Sequence, residues 1–262
     1  MTKPVFFFML DGLRPDAIAV TKSQHLHGLM ARGSHTLAAT SVMPSITLPC
    51  HTSIFHSVPP QRHGVTTNVF QPMARPLPGL IDVAHSHGLN CMAIYNWEPL
   101  RDIARPETLQ ASFCVRTAYQ ADGDDILAAE AVRLVGAYKP DFTFIYLGTI
   151  DTAGHAYGWM SARYLEQVER VDIQLGLILS ALPGDSNIVV QADHGGHDRN
   201  HGTDALEDMT IPWLAAGPSI RVAHVIKSAV SLLDTAPTIA RMLDIPANRE
   251  WEGHSVDEIF LT

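Results

Sequence analysis

Cysteine is scarce in this chain of 262 residues. Cys50, Cys91 and Cys114 are the three present, they form no CxxC pair, and their number is odd. A disulfide framework is therefore not expected, and a reducing cytoplasm is the expected location. Positive charge is also thin: 18 Lys+Arg stand against 27 Asp+Glu, with a net charge of -9 and no Lys/Arg run. Binding to nucleic acid is driven by phosphate neutralisation, so a polymer of that kind is not an expected partner. The N-terminal apolar run, Val5–Leu10, is six residues long and ends at Asp11. It is too short for a signal sequence core or a membrane span, and no membrane association is expected. Repeats, low-complexity segments and linker-like stretches are absent, so one domain over residues 1–262, without a large cap insertion, is expected. What the chain does have is 46% hydrophobic residues, enough for a sizeable core, and fourteen histidines.

Hydrophobic periodicity predicts strands at Val5–Leu10, Leu37–Val42, Leu89–Tyr95, Phe142–Leu147, Asn187–Gln191 and Ile211–Ala216. Helical spacing predicts helices at His25–Arg32, Thr47–Phe55, Leu80–His87, Asp125–Tyr138, Arg163–Leu182 and Leu233–Leu243. The longest carries Leu165, Val168, Val171, Leu175 and Leu179 on one stripe. Met43–Pro49 and Pro72–Pro78 read as proline-marked loops. Strands alternating with helices imply an α/β fold with a mostly parallel central sheet and helices on both faces.

Three of these strands run into acidic residues. Val5–Leu10 meets Asp11, Phe142–Leu147 precedes Asp151, and Asn187–Gln191 precedes Asp193. Ligands of open α/β sheets bind beyond the carboxyl ends of the strands, so three such carboxylates would meet in one crevice. Each alone could equally cap a following helix. Asp151-Thr-Ala-Gly-His155 sets a carboxylate and an imidazole four residues apart, and Gly154 and Gly158 favour a loop there. Asp193-His194 opens a glycine- and histidine-rich loop through His201-Gly202 whose composition argues against a core position. Asp and His ligands without thiolates suit Zn²⁺ or Mn²⁺ at a catalytic site. His197 in that loop reads as a solvated residue or one that supports a ligand. Ser45-Ile-Thr47-Leu-Pro49 offers two hydroxyls at the start of a helix. A metal ion and a helix N-terminus would both favour an alkoxide there, but spacing alone favours an ordinary N-cap at Ser45 or Thr47.

The order of these motifs resembles that of nucleotide pyrophosphatase/phosphodiesterases in the alkaline phosphatase superfamily. Phe8-Met-Leu-Asp11-Gly, Met43-Pro-Ser-Ile-Thr47-Leu-Pro, Gln61-Arg-His-Gly64 with Asn68, Leu147-Gly-Thr-Ile-Asp151-Thr-Ala-Gly-His155, Ala192-Asp-His-Gly195, His201-Gly202 and Asp234-Thr-Ala-Pro carry the likeness over nearly the whole chain. The resemblance implies an alkaline-phosphatase-like fold and two divalent metal ions, Zn²⁺ before Mn²⁺. One would be held by Asp151, His155 and His201, the other by Asp11, Asp193, His194 and the Thr47 oxygen. Thr47 would attack phosphorus in line and form a phosphothreonine, which water would hydrolyse with net retention. Asn68 matches a family asparagine that donates to a phosphoryl oxygen.

The resemblance further implies a phosphodiesterase or phosphomonoesterase acting on a small organic phosphate. A phosphonate hydrolase of the same superfamily is the nearest alternative, and a non-catalytic metal-binding member the next. A sulfatase is disfavoured because Thr47 stands where a modified Cys or Ser would be needed. The chain is shorter than most phosphodiesterases of the family, so substrate-recognition insertions are expected to be missing. Cys50-His51 replaces the usual Asn-His pair, with His51 expected in a supporting role. Trp97, Tyr157 and Phe70 are candidate substrate-stacking aromatics, whereas Arg75 and Arg101 read as surface residues.

Overall fold

The computed structural model describes residues 3–73 and 75–261. Its centre is an eight-stranded sheet. The strands are β1 (Val5–Leu10), β2 (Ser34–Thr40), β3 (Cys91–Tyr95), β4 (Ala111–Cys114), β5 (Phe142–Leu147), β6 (Asn187–Gln191), β7 (Thr210–Ala216) and β8 (His224–Val225). They are ordered β4-β3-β5-β1-β6-β7-β2-β8. The pairings β4–β3–β5–β1–β6 are all parallel. β7 runs antiparallel to β6 and to β2, so the expected mostly parallel sheet carries a reversed strand toward one side.

Every residue of β1, β5 and β6 is buried. Continuous apolar runs such as Val5-Phe-Phe-Phe-Met-Leu10 are what a parallel strand covered on both faces requires. Burying each large side chain contributes roughly 1.5–3 kcal/mol. Helices Gly123–Tyr138, Thr149–Tyr157 and Ala162–Ala181 pack together as one layer. Helices Thr47–His56, Pro60–His63, Leu80–Ser86 and Thr235–Met242 form another. In the long helix the stripe is present, with Val168, Val171 and Leu175 fully inside and Leu165 and Leu179 at its border.

β2, β4 and the segment of Asp151 differ from the periodicity reading. β2 starts at Ser34 rather than Leu37 and holds an irregularity between Thr36 and Ala39; a register break of this kind hides strict alternation. β4 is a four-residue edge strand with alternating exposure, too short to produce a pattern. Asp151 and His155 lie on a helix, Thr149–Tyr157, and not on a loop. Gly154 is required there by packing, since a Cβ would come within 2.5 Å of the Trp159 ring. Gly158 ends the helix at φ 92°.

Candidate metal centre and nucleophile

β5, β1 and β6 are adjacent and parallel, so their carboxyl ends lie side by side. Leu10 pairs with Leu147 and Met9 with Gln191, which brings Asp11, the turn before Asp151, and Asp193 to one level. Helix geometry places residues four apart on one face. His155 Nε2 accordingly stands 3.5 Å from Asp151 Oδ1, and His201 Nε2 stands 3.6 Å from the same oxygen. In a second group, His194 Nε2 is 3.3 Å from Asp11 Oδ1 and 3.4 Å from Asp193 Oδ2. The His194 and His201 rings stack at 3.8 Å and join the two groups.

The expectation that the Asp193–Gly202 loop lies outside the core is corrected in its first half. Asp193, His194, Gly195 and Gly196 are buried. The Gly195 and Gly196 N–H groups each donate at 2.8 Å to the carbonyls of Asp208 and Glu207. A Cβ on Gly195 would fall 2.0 Å from Glu207 O, so glycine is what allows a polar loop to enter the interior. His197 takes no part in either group. Its Nδ1 bonds Asp208 Oδ1 at 2.7 Å.

The donor atoms fit divalent cations on two observations. First, each histidine commits its Nδ1–H to a backbone carbonyl. His155 donates to Arg199 O, His194 to Gly195 O and His201 to Ser45 O, at 2.8–2.9 Å. A carbonyl only accepts, so Nδ1 carries a proton and Nε2 is the nitrogen turned toward the carboxylates, as a metal-binding histidine requires. Second, Asp11 Oδ1, Asp151 Oδ1 and Asp193 Oδ2, the oxygens that face those nitrogens, are buried without a hydrogen-bond partner. Zinc bonds of about 2.1 Å at tetrahedral angles separate ligand atoms by roughly 3.4 Å, close to the spacings found.

Electrostatics agree. Burial, with Asp11 beside it, pushes Asp151 up to about 8. Burial pushes Asp193 up to about 7, and burial next to Asp193 holds Asp11 well above the ordinary carboxylate range. Burial beside His194 drives His201 down to about 2, so its ring is neutral and available as a ligand. Three carboxyl groups crowded together in the interior are held as carboxylates only if a positive charge joins them, which is what a bound cation would supply.

Thr47 is the first residue of helix Thr47–His56, and its Oγ1 lies 3.3 Å from His194 Nε2. Ile46, not Ser45 or Thr47, is the N-cap, which removes the simple capping reading. Ser45 Oγ donates instead to Thr203 O at 2.8 Å. His51 is wholly buried and its Nδ1 donates to Thr47 O at 2.8 Å, the supporting position expected for it. Asn68 Oδ1 accepts the Leu48 N–H at 2.9 Å. That bond orients the amide and leaves its NH₂ as a donor for the pocket that Asn68 and Thr47 share.

Trp97 lines this pocket with Tyr119, which receives the Trp97 indole N–H at 3.1 Å. Phe70 borders a different, apolar cavity beyond Leu48, and Tyr157 is covered by Arg163 at 4.7 Å; neither lines the pocket of Thr47. Arg75 and Arg101 pair with surface carboxylates as expected.

Sequence reading missed Tyr146. Its hydroxyl donates to Asp11 Oδ2, which leaves Oδ1 alone to face His194. Nothing but its place in a buried strand marked it. Tyr146→Phe removes this donor and should weaken zinc binding at the Asp11 group about 10- to 100-fold. Zinc titration of wild type and variant checks this, and equal affinities would refute it.

The family profile described as "Type I phosphodiesterase / nucleotide pyrophosphatase" matches residues 5–225. Mouse ectonucleotide pyrophosphatase/phosphodiesterase family member 3 is 26% identical over 234 residues, 79% of this chain and 26% of that protein. The chain thus spans about a quarter of that relative's length. Among solved structures, human ectonucleotide pyrophosphatase/phosphodiesterase 5 superposes with a TM-score of 0.84 at 17% identity, covering 99% of this chain and all of that one. A phosphonate monoester hydrolase from Silicibacter pomeroyi superposes at 0.75 with 16% identity, covering 97% and 76%. The likeness in structure shows a shared alkaline-phosphatase-like fold. With its profile match over most of its length, the chain belongs to the type I phosphodiesterase/nucleotide pyrophosphatase family, a hydrolase family of the alkaline phosphatase superfamily.

Proposed function

We propose that this protein hydrolyses small organic phosphodiesters or phosphonate monoesters through Thr47, with two divalent ions, Zn²⁺ before Mn²⁺. The Asp151, His155 and His201 group would hold one ion, and Asp11, Asp193, His194 and Thr47 Oγ1 the other. The observation that carries the reading is the position of Thr47 Oγ1, 3.3 Å from a histidine nitrogen that faces two orphaned carboxylate oxygens. Ions bound there supply positive charge that lowers the pKa of the hydroxyl and offsets charge on the phosphoryl oxygens.

The chain's own groups support the remaining steps. The N-terminus of helix Thr47–His56 favours an alkoxide at Thr47. The Asn68 NH₂ is free to donate to a non-bridging oxygen as charge develops on it. Thr47 Oγ1 gives its proton to solvent and bonds to phosphorus while the opposite P–O bond breaks, and the leaving alcohol takes a proton from water. A water oxygen then displaces Thr47 from phosphorus, and the hydroxyl regains its proton. Two inversions give net retention.

The pocket argues for a substrate with one negative charge. No Lys or Arg is among the described residues that line it. A phosphomonoester brings nearly two charges at neutral pH, a diester or a phosphonate monoester only one. With zinc supplied, bis-p-nitrophenyl phosphate and p-nitrophenyl phenylphosphonate should exceed p-nitrophenyl phosphate in kcat/KM by more than about tenfold, some 1.4 kcal/mol of transition-state discrimination. Initial rates on the three esters test this, and a faster monoester would sink the single-charge reading. A cytoplasmic location stays part of the proposal and is supported by the free state of all three cysteines.

A further inference from the structure

Asp124 lies outside every motif described above. It sits in the first turn of helix Gly123–Tyr138, is 2 % exposed, and contacts the turn between β5 and helix Thr149–Tyr157 through both of its oxygens. Oδ1 accepts Asn96 Nδ2 at 2.6 Å and Gly148 N at 3.2 Å. Oδ2 accepts Thr149 N at 3.2 Å and the Thr149 hydroxyl. Gln167 Nε2 donates to that same hydroxyl at 2.7 Å.

A buried carboxylate is costly unless it is matched by donors, and this one has four. Two are the first N–H groups of the helix that carries Asp151 and His155. These donors have no partner within their own helix, and a negative charge at this end also favours the helix dipole. The turn has little freedom otherwise. A Cβ on Gly148 would come within 2.7 Å of the Tyr146 ring and 3.0 Å of Asn96 Oδ1. Asp124 thus sets where the helix starts, and the helix sets the 3.5 Å approach of His155 Nε2 to Asp151 Oδ1.

We infer that Asp124 is a positioning residue for the Asp151–His155–His201 cation site, acting through Gly148 and Thr149 and touching neither the ion nor the substrate. The inference rests on the metal reading proposed above. It separates the two sites: the Asp11–Asp193–His194 group takes its geometry from β1, β6, the loop after β6 and the Tyr146 hydroxyl, and the hydrogen bonds of Asp124 go instead to Asn96, Gly148 and Thr149.

Zinc titration of the purified full chain tests this, with Zn²⁺ itself as the probe and metal stoichiometry and the affinity of each site as the readouts. Asp124→Asn keeps the shape but turns an amide NH₂ toward donors. It should weaken one of two zinc sites about 10- to 100-fold, the range for residues that orient ligands, and leave the other within twofold. Activity lost at limiting zinc should return at high zinc, which a merely unfolded fraction would not do. A mutant cycle locates the effect. In an Asp193→Asn background, where the other site is impaired, Asp124→Asn should still weaken the remaining site. In an Asp151→Asn background it should do nothing further.

Should Asp124→Asn fold poorly, Thr149→Val, which removes one donor at constant shape, should shift the same site in the same direction by a smaller factor. Two wild-type zinc sites that both keep their affinity in the variants would overturn the inference while leaving the metal reading intact. Equal losses at both sites would overturn it as well. A wild-type chain that binds no zinc would overturn the metal reading and this inference together.

Discussion

Thr47→Ala is expected to lower kcat by on the order of 10⁴ to 10⁶, the range for loss of a covalent nucleophile. The size follows from the lack of a substitute. Thr152 also borders the pocket, but its hydroxyl donates to Ala118 O at 2.9 Å. Ser41 donates to Asp193 O at 2.5 Å and Ser45 to Thr203 O. Thr47 Oγ1 has only the 3.3 Å contact to His194 Nε2, so its removal costs the fold little. The variant should keep a melting temperature within a few degrees of wild type and should still bind zinc, since six Asp and His donors remain. Rates measured beside metal analysis decide the point. Turnover within about tenfold of wild type would mean that water attacks phosphorus directly and that no phosphothreonine forms.

Metal removal should make the protein sensitive to pH in a defined direction. Burial pushes Asp151 up to about 8 and Asp193 up to about 7, so in the metal-free native state at neutral pH Asp151 is mostly, and Asp193 partly, protonated. In the unfolded chain they titrate near 3.9. A group whose native pKa is raised contributes stability that is complete below its unfolded pKa and is lost as pH rises through its native one. The carboxylates therefore draw stability down up to about pH 8. The buried histidines act oppositely at the acid end. His201 is held near 2 and His51 near 3, so below about pH 6.5 the unfolded chain gains protons that they refuse.

Between about pH 6.5 and 8.5 the carboxylate effect prevails, and His197, raised by its hydrogen bond to Asp208, acts in the same direction. Across that window the melting temperature of EDTA-treated protein should fall by several degrees, at about 2–4 °C per kcal/mol for a chain of this size. Zinc should abolish the fall, and its own stabilisation should grow with pH because binding displaces protons from the ligands. Thermal melts with and without zinc at three pH values check both. A metal-free melting temperature that rises across the window would show that these carboxylates do not crowd one another.

Much of the fold was legible along the chain because it depends on local composition. β1, β5 and β6 have the bounds read from their apolar runs, since a strand buried on both faces leaves little room for polar residues. The site residues stood out for a related reason. An aspartate within a few residues of such a run is out of place among apolar side chains, and it marks where strand becomes crevice. Order along the chain then tied Asp11, Thr47, Asp151, Asp193 and His201 to one family pattern.

Other features exist only in three dimensions. The helix at Asp151 was hidden because Gly154 reads locally as a breaker, while its real constraint is the Trp159 ring packed against it. The buried start of the Asp193 loop depends on close approach to Glu207 and Asp208, which no local pattern records. Asp124 and Tyr146 gain their importance from partners 25 and 135 residues away. The sequence by itself determined the central strands β1, β5 and β6 and which donor atoms are on offer, because those depend on side-chain chemistry and period. Only the tertiary structure decided that three strand ends share one level, that each histidine spends Nδ1 on a carbonyl, and that the opposing carboxylate oxygens are left without partners, because orientation and satisfaction are properties of packing.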